Sequence, residues 1–292
     1  MALAVSVKGV SKKYPIFPSR RHRLKEALSL GRKKYSRDFW ALKDINLEVE
    51  PGATLGILGR NGAGKSTLLS IIAGILQPTS GTVEVNGRLV ALSTMGAGFN
   101  REFTGRENII LNGLILGMEH QEILKRFDDI AAFADVGNFM DQPIKTYSSG
   151  MRSRLGFAVA VNVEPDVLIL DETLSVGDAV YKEAALQKMY ELRDSGTTIL
   201  FVSHGMQTIQ DFCTEAALLH EGRLLSTGGT TEIINQYYAL VSSLQATSSL
   251  QERLPLPPQA WSTWALATRN TREKLSTSAA AQEKPEFEAS KH

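Results

Sequence analysis

A single cysteine, Cys213, stands in the 292 residues of the chain. No internal disulfide can form, which suits a reducing cytoplasm, and Cys213 is expected as a small buried hydrophobe. An excess of charge is also missing: 32 Lys and Arg against 31 Asp and Glu leave a formal net charge of +1. That is too little for a generic nucleic-acid binder. Long apolar runs are absent too, since the longest uncharged stretch, residues 66–83, contains Gln77-Pro78-Thr79-Ser80-Gly81 and cannot span a bilayer. Residues 1–8 show no basic leader before a long apolar core, so no secretory signal is expected. The 43% hydrophobic and 22% charged content is ordinary for a soluble globular protein of one large domain or about two smaller ones.

What the chain does hold is a complete phosphate-binding loop, Gly59-Arg60-Asn61-Gly62-Ala63-Gly64-Lys65-Ser66. An apolar strand-like run, residues 53–58, leads in, and a helical run beginning at Thr67 leads out. Glycines let consecutive backbone N–H groups turn inward around a polyphosphate, and the helix N-terminus adds partial positive charge. In such a loop Lys65 reaches the β- and γ-phosphates and the Ser66 hydroxyl ligates Mg2+. A nucleoside triphosphate is the expected ligand. Further on, Val167-Leu168-Ile169-Leu170-Asp171-Glu172 is an apolar strand ending in two carboxylates. A buried parallel strand here delivers Asp171 beside the phosphate loop to hold Mg2+ and places Glu172 to polarise the attacking water. Tyr147-Ser148-Ser149-Gly150-Met151 opens a helix, with Ser148 as N-cap and small residues that leave backbone amides open to an anion.

Residues 5–10 and 41–49 alternate like strands, and Glu50-Pro51-Gly52 is a turn. Residues 82–85, then Asn86-Gly87, then residues 88–92 predict a hairpin with a tight primed turn. Residues 105–163 are helical in pattern, and strand-like runs return at 167–170, 198–202 and 216–219. Strand–helix alternation interrupted by a helical insert predicts an α/β fold with a parallel-sheet core and a helical subdomain. Residues 12–38 carry ten Lys or Arg against Glu26 and Asp38, a local charge of roughly +8. Beyond about residue 245 the composition shifts to Ser, Thr, Ala, Gln and Pro, with Pro255, Pro257 and Pro258 breaking any regular element.

In this order and spacing the motifs resemble the ATP-binding-cassette (ABC) transporter ATPases over about residues 3–240. Ser148 and Gly150 match that family's Leu-Ser-Gly-Gly-Gln signature, Ser175-Val176-Gly177-Asp178 resembles its D-loop, and Phe201-Val202-Ser203-His204 resembles the strand presenting its switch histidine. The resemblance implies a P-loop NTPase fold with a mainly parallel sheet, an antiparallel β part and an inserted helical subdomain. It places the ATPase domain at residues 1–244, with a basic insert at 15–40 and the helical subdomain at about 105–163, and a short extension at 245–292. It further implies ATP and Mg2+ as cofactors, Glu172 and His204 as catalytic residues, and a homodimer that sandwiches two nucleotides. Ser148, Ser149 and Gly150, with Asp178, would then serve ATP at the shared seam, while Lys65, Ser66, Asp171, Glu172 and His204 act in their own subunit. Two departures stand out: residues 89–101 contain no counterpart of the Q-loop glutamine, and Met151 replaces the signature glutamine. Tyr14 lies where the family usually places its adenine-stacking aromatic, with Tyr35, Phe39 and Trp40 as competitors. Trp261 and Trp264, three apart, are candidates to seat one helix face against the partner subunit.

Residues 96–108 are similar to the corresponding loop of ATPases that export cell-surface polysaccharides, and residues 143–157 resemble both capsule and teichoic acid exporters. The likeness extends furthest for the wall-teichoic-acid export ATPases, reaching Asp38-Phe39-Trp40-Ala41-Leu42-Lys43 and Leu174-Ser175-Val176-Gly177-Asp178. O-antigen exporters share the basic insert, but many carry a large carbohydrate-binding domain that a tail of about 50 residues is too small to fold alone. The subgroup implies a peripheral subunit at the cytoplasmic face of the cell membrane, two copies of an integral membrane permease, a lipid-linked polymer as substrate and no nucleic acid. Rival readings are the same engine exporting capsule or O-antigen, a soluble ABC ATPase acting on ribosomes or DNA, and a nucleotide-binding module without turnover. In the basic insert, Leu24, Ala27, Leu28 and Leu30 are expected to form a short helix face flanked by Arg20, Arg21, Arg23, Lys25, Arg32, Lys33 and Lys34. Near an anionic leaflet each such charge is worth about 1 kcal/mol. Arginine also pairs well with pyrophosphate, so the insert is expected at the membrane, meeting the lipid-pyrophosphate end of the substrate.

Overall fold

The computed structural model describes residues 2–29, 33–92, 96, 98–171, 179–203 and 205–253. The strand β1 (Val5–Ile16) is followed by the helix α1 (Arg20–Leu28) and the strand β2 (Arg37–Val49). β1 and β2 pair antiparallel along their whole length, from Val5↔Val49 to Ile16↔Arg37. Only the inner halves alternate in hydrophobicity, because only they cover the core; residues 13–16 and 37–40 are exposed. The basic insert is therefore a two-stranded arm carrying a helix, with Leu24 and Leu28 left in solvent. Leu30 and Arg32 lie outside the described residues.

Next come the wholly buried strand β3 (Thr54–Leu58) and the helix α2 (Lys65–Ile72). The strand β4 (Ser80–Val85) pairs with the free side of β1, giving a three-stranded antiparallel sheet in the order β2-β1-β4. The strand β5 (Leu89–Ala91) belongs to a second sheet. The insert that follows contains α3 (Gly105–Ile115), α4 (His120–Ala134), two short 3-10 turns and α5 (Ser149–Asn162). Thr104 and Glu107 form a reciprocal capping box at the head of α3, and Ser148 caps α5 by accepting from Met151 N at 3.1 Å. In α4 the buried Ile123, Phe127, Ile130 and Ala134 recur at helical spacing, which fixes the face it turns inward. The last carbonyls of α5 meet two guanidinium groups: Arg126 Nη1 donates to Asn162 O at 3.2 Å and Arg88 Nη1 to Val163 O at 2.8 Å.

The chain returns through β6 (Val167–Leu170), α6 (Ala179–Asp194), β7 (Thr198–Phe201), α7 (Met206–Phe212), β8 (Glu215–His220), β9 (Arg223–Gly229) and α8 (Thr230–Arg253). The second sheet has the order β5-β6-β7-β3-β8-β9 and is parallel except for β9. Between the two sheets α2 buries Leu68, Leu69, Ile71 and Ile72 in one cluster with Val5, Val7, Ile45, Leu47, Ile57, Ile169 and Leu200. This is the expected α/β architecture, with a mainly parallel sheet, an antiparallel part and an inserted helical subdomain.

One expectation fails. The hairpin predicted over residues 82–92 does not form, because β4 and β5 belong to different sheets. Asn86 is tied to the antiparallel side, its N donating to Ala4 O at 2.9 Å and its Nδ2 to Leu3 O at 2.7 Å. Arg88 N is tied to the parallel side through Asp166 Oδ2 at 2.6 Å. Gly87 has φ +99, and a Cβ there would lie 2.5 Å from Asp166. The glycine is required by that close approach, and the long-range partners override the local turn preference of Asn-Gly.

The chain divides into two compact units, residues 1–237 and 238–292. In the second unit α8 continues to Arg253, and the remainder, with Trp261 and Trp264, lies outside the described residues. No helix among the described residues is long and apolar enough to cross a membrane.

Candidate nucleotide-binding site

The phosphate loop leaves β3 at Gly59, where a Cβ would overlap Leu219 O. At Gly64 the backbone has φ +109, and a Cβ would sit 2.7 Å from Ala41 O. Both positions admit no side chain. Gly62 also has positive φ, +79, but a Cβ there would meet nothing within 4 Å, so the loop is open on that side. Gly64 is the N-cap of α2, offers no side-chain acceptor to the first-turn N–H groups, and is followed by no acidic residue in that turn. An anion fits such a helix start. Lys65 is buried, and its Nζ donates to Gly59 O at 2.7 Å and Arg60 O at 3.4 Å, which holds the ammonium over the loop.

A cleft of about 610 Å³ opens above the loop, lined by residues 61–67 together with Tyr14, Phe39, Ala41, Asp171 and Val202. Sheet order explains how distant segments meet there. Gly56 pairs with Phe201 and Phe201 with Leu170, so β3, β7 and β6 end at the same edge. Val202 N donates to Leu170 O at 2.9 Å, extending that pairing past the strand ends. Asp171 therefore reaches the cleft with one strand between it and β3. In parallel α/β sheets, ligands bind outside the carboxyl ends of the strands. A larger cavity of about 770 Å³, lined by Asp166, Thr197 and Thr198 among others, lies at the amino ends of β6 and β7 and meets none of these groups.

Register also sorts the aromatic candidates. Tyr14 and Phe39 are cross-strand partners, and both line the cleft. Tyr35 contacts the His22 ring at 5.8 Å, and Trp40 pairs with Lys13 on the other face of the arm. From the sequence Phe39 is only a competitor of Tyr14, and neither Ala41 nor Val202 stands out as a site residue; strand register is what brings all three to the cleft. Ser148 and Ser149 are exposed at the head of α5, with Gly150 half-buried, and none of them lines the cleft of its own chain. Their turn is fixed from beneath by Tyr147, which is buried, donates from Oη to Phe139 O at 2.6 Å and accepts at its carbonyl from Arg152 Nη1 at 2.7 Å. Burial raises the Tyr147 hydroxyl above its ordinary pKa. Glu172, Asp178 and His204 lie outside the described residues.

The donor set suits Mg2+ held jointly with phosphate. The exposed Ser66 and the half-buried Asp171 line one cleft, whereas no group of three or more His, Cys, Asp or Glu converges among the described residues.

Parallel strands ending at a phosphate loop and a strand-end aspartate, roofed by an aromatic pair from an antiparallel sheet and joined to a helical insert, define an ABC-type nucleotide-binding domain. The ABC transporter family matches residues 42–175. The O-antigen export system ATP-binding protein RfbB of Myxococcus xanthus is 47% identical over 220 residues, 74% of this chain and 50% of that protein. The teichoic acids export ATP-binding protein TagH of Enterococcus faecalis is 45% identical over 239 residues, 82% of this chain and 53% of that protein. The chain thus spans about half the length of these two relatives. The ABC transporter protein AbcA of Aeromonas salmonicida is 46% identical over 237 residues, 81% of this chain and 76% of that protein. A solved ATP-binding subunit of an ABC transporter superposes with a TM-score of 0.64 at 23% identity, covering 81% of this chain and 93% of its own, and shows the fold alone. The chain belongs to the ABC transporter family of ATP-binding proteins.

Proposed function

We propose that the chain hydrolyses ATP as one of two identical subunits of an ABC exporter. The subunits sit beneath two copies of an integral membrane permease, at the cytoplasmic face of the membrane, and the cargo is a lipid-linked wall teichoic acid. The observation that carries the reading is the single cleft where the phosphate loop, Asp171, Tyr14 and Phe39 meet. The names of the O-antigen and teichoic acid export relatives support the choice of cargo class. Nothing in the near-neutral chain calls for a nucleic-acid partner.

In this mechanism the loop amides and Lys65 hold the β- and γ-phosphates, and Tyr14 and Phe39 pack against the base. Ser66 and Asp171 would hold Mg2+, which supplies charge neutralisation on the phosphates. Glu172 orients and polarises the attacking water, and His204 acts beside it on the γ-phosphate side. Ser148, Ser149 and Gly150 line no part of their own cleft, which suits contact with nucleotide held by the partner, with Asp178 at the same seam. The γ-phosphate then holds the dimer together, and its hydrolysis releases it.

A cysteine pair tests the seam. In a Glu172→Gln background, Ser149→Cys on one subunit and Asn61→Cys on the other should cross-link when ATP is saturating and not without nucleotide. Absence of the cross-link under saturating ATP removes the dimer mechanism. For cargo, reconstitution with the permease should show ATP-driven movement of lipid-linked polyribitol or polyglycerol phosphate. Movement of an O-antigen glycan instead would select the second reading, which the relative RfbB favours. The arm has its own test: replacing Arg20, Arg21 and Arg23 by Gln should impair export and spare basal hydrolysis, and unchanged export would refute a role at the lipid-pyrophosphate end.

A further inference from the structure

The register of β1 and β2 leaves one tryptophan that the nucleotide cleft does not use. Cross-strand partners share a face and successive residues alternate faces. Tyr14 and Phe39 therefore turn to the cleft, and the pair Lys13 and Trp40 turns away from it. Trp40 is 40% exposed, with Lys13 Nζ 5.7 Å from its ring centroid. Trp40 lines a separate, shallow and open cavity of about 310 Å³ with Ser11, Lys43, Asp44 and Arg223.

The cavity is assembled by a close contact between backbones. Gly222, with φ +74, precedes β9 and presses on β2 so tightly that a Cβ would lie 2.6 Å from Ala41 O. Gly222 O accepts from Lys43 N at 2.7 Å, which brings Arg223 and Lys43 to the same opening. Gly222 N in turn donates to Ala63 O at 3.0 Å, inside the phosphate loop. Among the described residues neither Lys43 nor Arg223 has an ion-pair partner. Ser11 Oγ accepts from Asp44 N at 2.9 Å, which fixes the bulge of β2 at Asp44, where φ is +51.

We propose that this cavity binds a phosphorylated sugar. The indole offers a flat apolar wall for the C–H face of a pyranose, and Asp44 offers an acceptor for its hydroxyls. Lys43 and Arg223 take the phosphate, the arginine with two parallel N–H donors. The choice of a sugar among ring-bearing phosphates rests on the export reading above; the cavity and its cations do not. Because Gly222 bonds both Lys43 and Ala63, an occupied cavity bears on the back of the phosphate loop, and the ligand should raise ATP turnover.

Isothermal titration of the full chain with N-acetylglucosamine 1-phosphate, in saturating ADP and Mg2+ so that the nucleotide cleft is filled, decides the matter. Binding should persist under ADP and should weaken at least tenfold for free N-acetylglucosamine and for inorganic phosphate. Trp40→Ala and Arg223→Gln should each weaken it at least tenfold, whereas Lys65→Ala should leave it unchanged. Arg223 is exposed, so its variant guards against a misfolded Trp40→Ala protein. Loss of binding under ADP would assign the signal to nucleotide sites and overturn the proposal. Equal affinity for inorganic phosphate alone would overturn it as well, by removing the sugar. ATP turnover in the same preparations separates the two readings: turnover without sugar-phosphate binding discards the cavity and keeps the engine, and absent turnover discards the engine.

Discussion

Gly64 shows how tightly the nucleotide loop is built against its surroundings. Its backbone has φ +109, and a Cβ would stand 2.7 Å from Ala41 O and 2.8 Å from Leu42 Cδ2. Gly64→Ala should cost about 1–3 kcal/mol, seen as a lower urea midpoint together with weakened nucleotide binding. An unchanged midpoint would mean that the loop is laxer than this geometry. Cys213 makes a second case, since burial pushes its thiol from 9.0 up to about 12. The unfolded thiol ionises first, so this contribution to stability is complete below pH 9.0 and is lost as pH rises toward about 12. Iodoacetamide at pH 8.5 should label the native chain far more slowly than the chain in urea, with mass spectrometry as the readout. At this scale the sequence was most readable where function is contiguous. The phosphate loop could be read directly because its chemistry sits in consecutive residues. Phe39 and Trp40 could not, because adjacent residues face opposite ways and only strand register says which one meets the cleft.

In the arm formed by β1, α1 and β2 the strands hold each other by their ladder, and one carboxylate ties the helix to them. Glu26 accepts from Tyr35 N at 2.6 Å, Ser36 N at 2.8 Å and Ser36 Oγ at 3.0 Å, tying α1 to the approach of β2. The Tyr35 backbone bond is the largest cause that holds its pKa below 4.5, and the Ser36 bonds and the Lys34 charge act the same way. A depressed carboxylate contributes stability above its unfolded pKa and loses it as pH falls through the folded value. Hydrogen exchange at Tyr35 and Ser36 should therefore be protected at pH 7 and lose that protection below pH 4.5. Glu26→Gln should lose much of it already at pH 7, and full protection in that variant would show that the charge is dispensable. Elements were legible by period but not always by partner. The helical stripe of α4 could be read directly, as could the strands β3 and β6. The pair β4 and β5 was not legible as strands of two sheets, because Asn86-Gly87 carries a strong local turn signal while Ala4 O, distant in sequence, accepts from Asn86 N and the Asp166 carboxylate accepts from Arg88 N.

For the whole molecule, alternating strands broken by one long helical stretch were enough to predict the architecture. What they could not give was the division of strands between two sheets, since sequence order and sheet order part company at β3, which sits between β7 and β8. The largest consequence lies in assembly. In the proposed dimer, Glu172→Gln with ATP should double the mass seen by light scattering, and ADP should return it to that of one chain. A single-chain mass under saturating ATP would exclude the seam.

The helix that carries Ser149 has its last carbonyls held by charged donors from outside the helix. Arg88 and Arg126 grip the carbonyls of Val163 and Asn162, while Ser148 and Ser149 are exposed above the buried Tyr147 that props their turn. Fourteen residues separate head from foot, a lever of about 21 Å. A tilt of roughly 10° about that grip would swing the serine turn by about 4 Å on such a lever, more than the length of a hydrogen bond. Engagement with a neighbour's nucleotide would then be an angular event, timed by how stiffly two arginines hold the pivot.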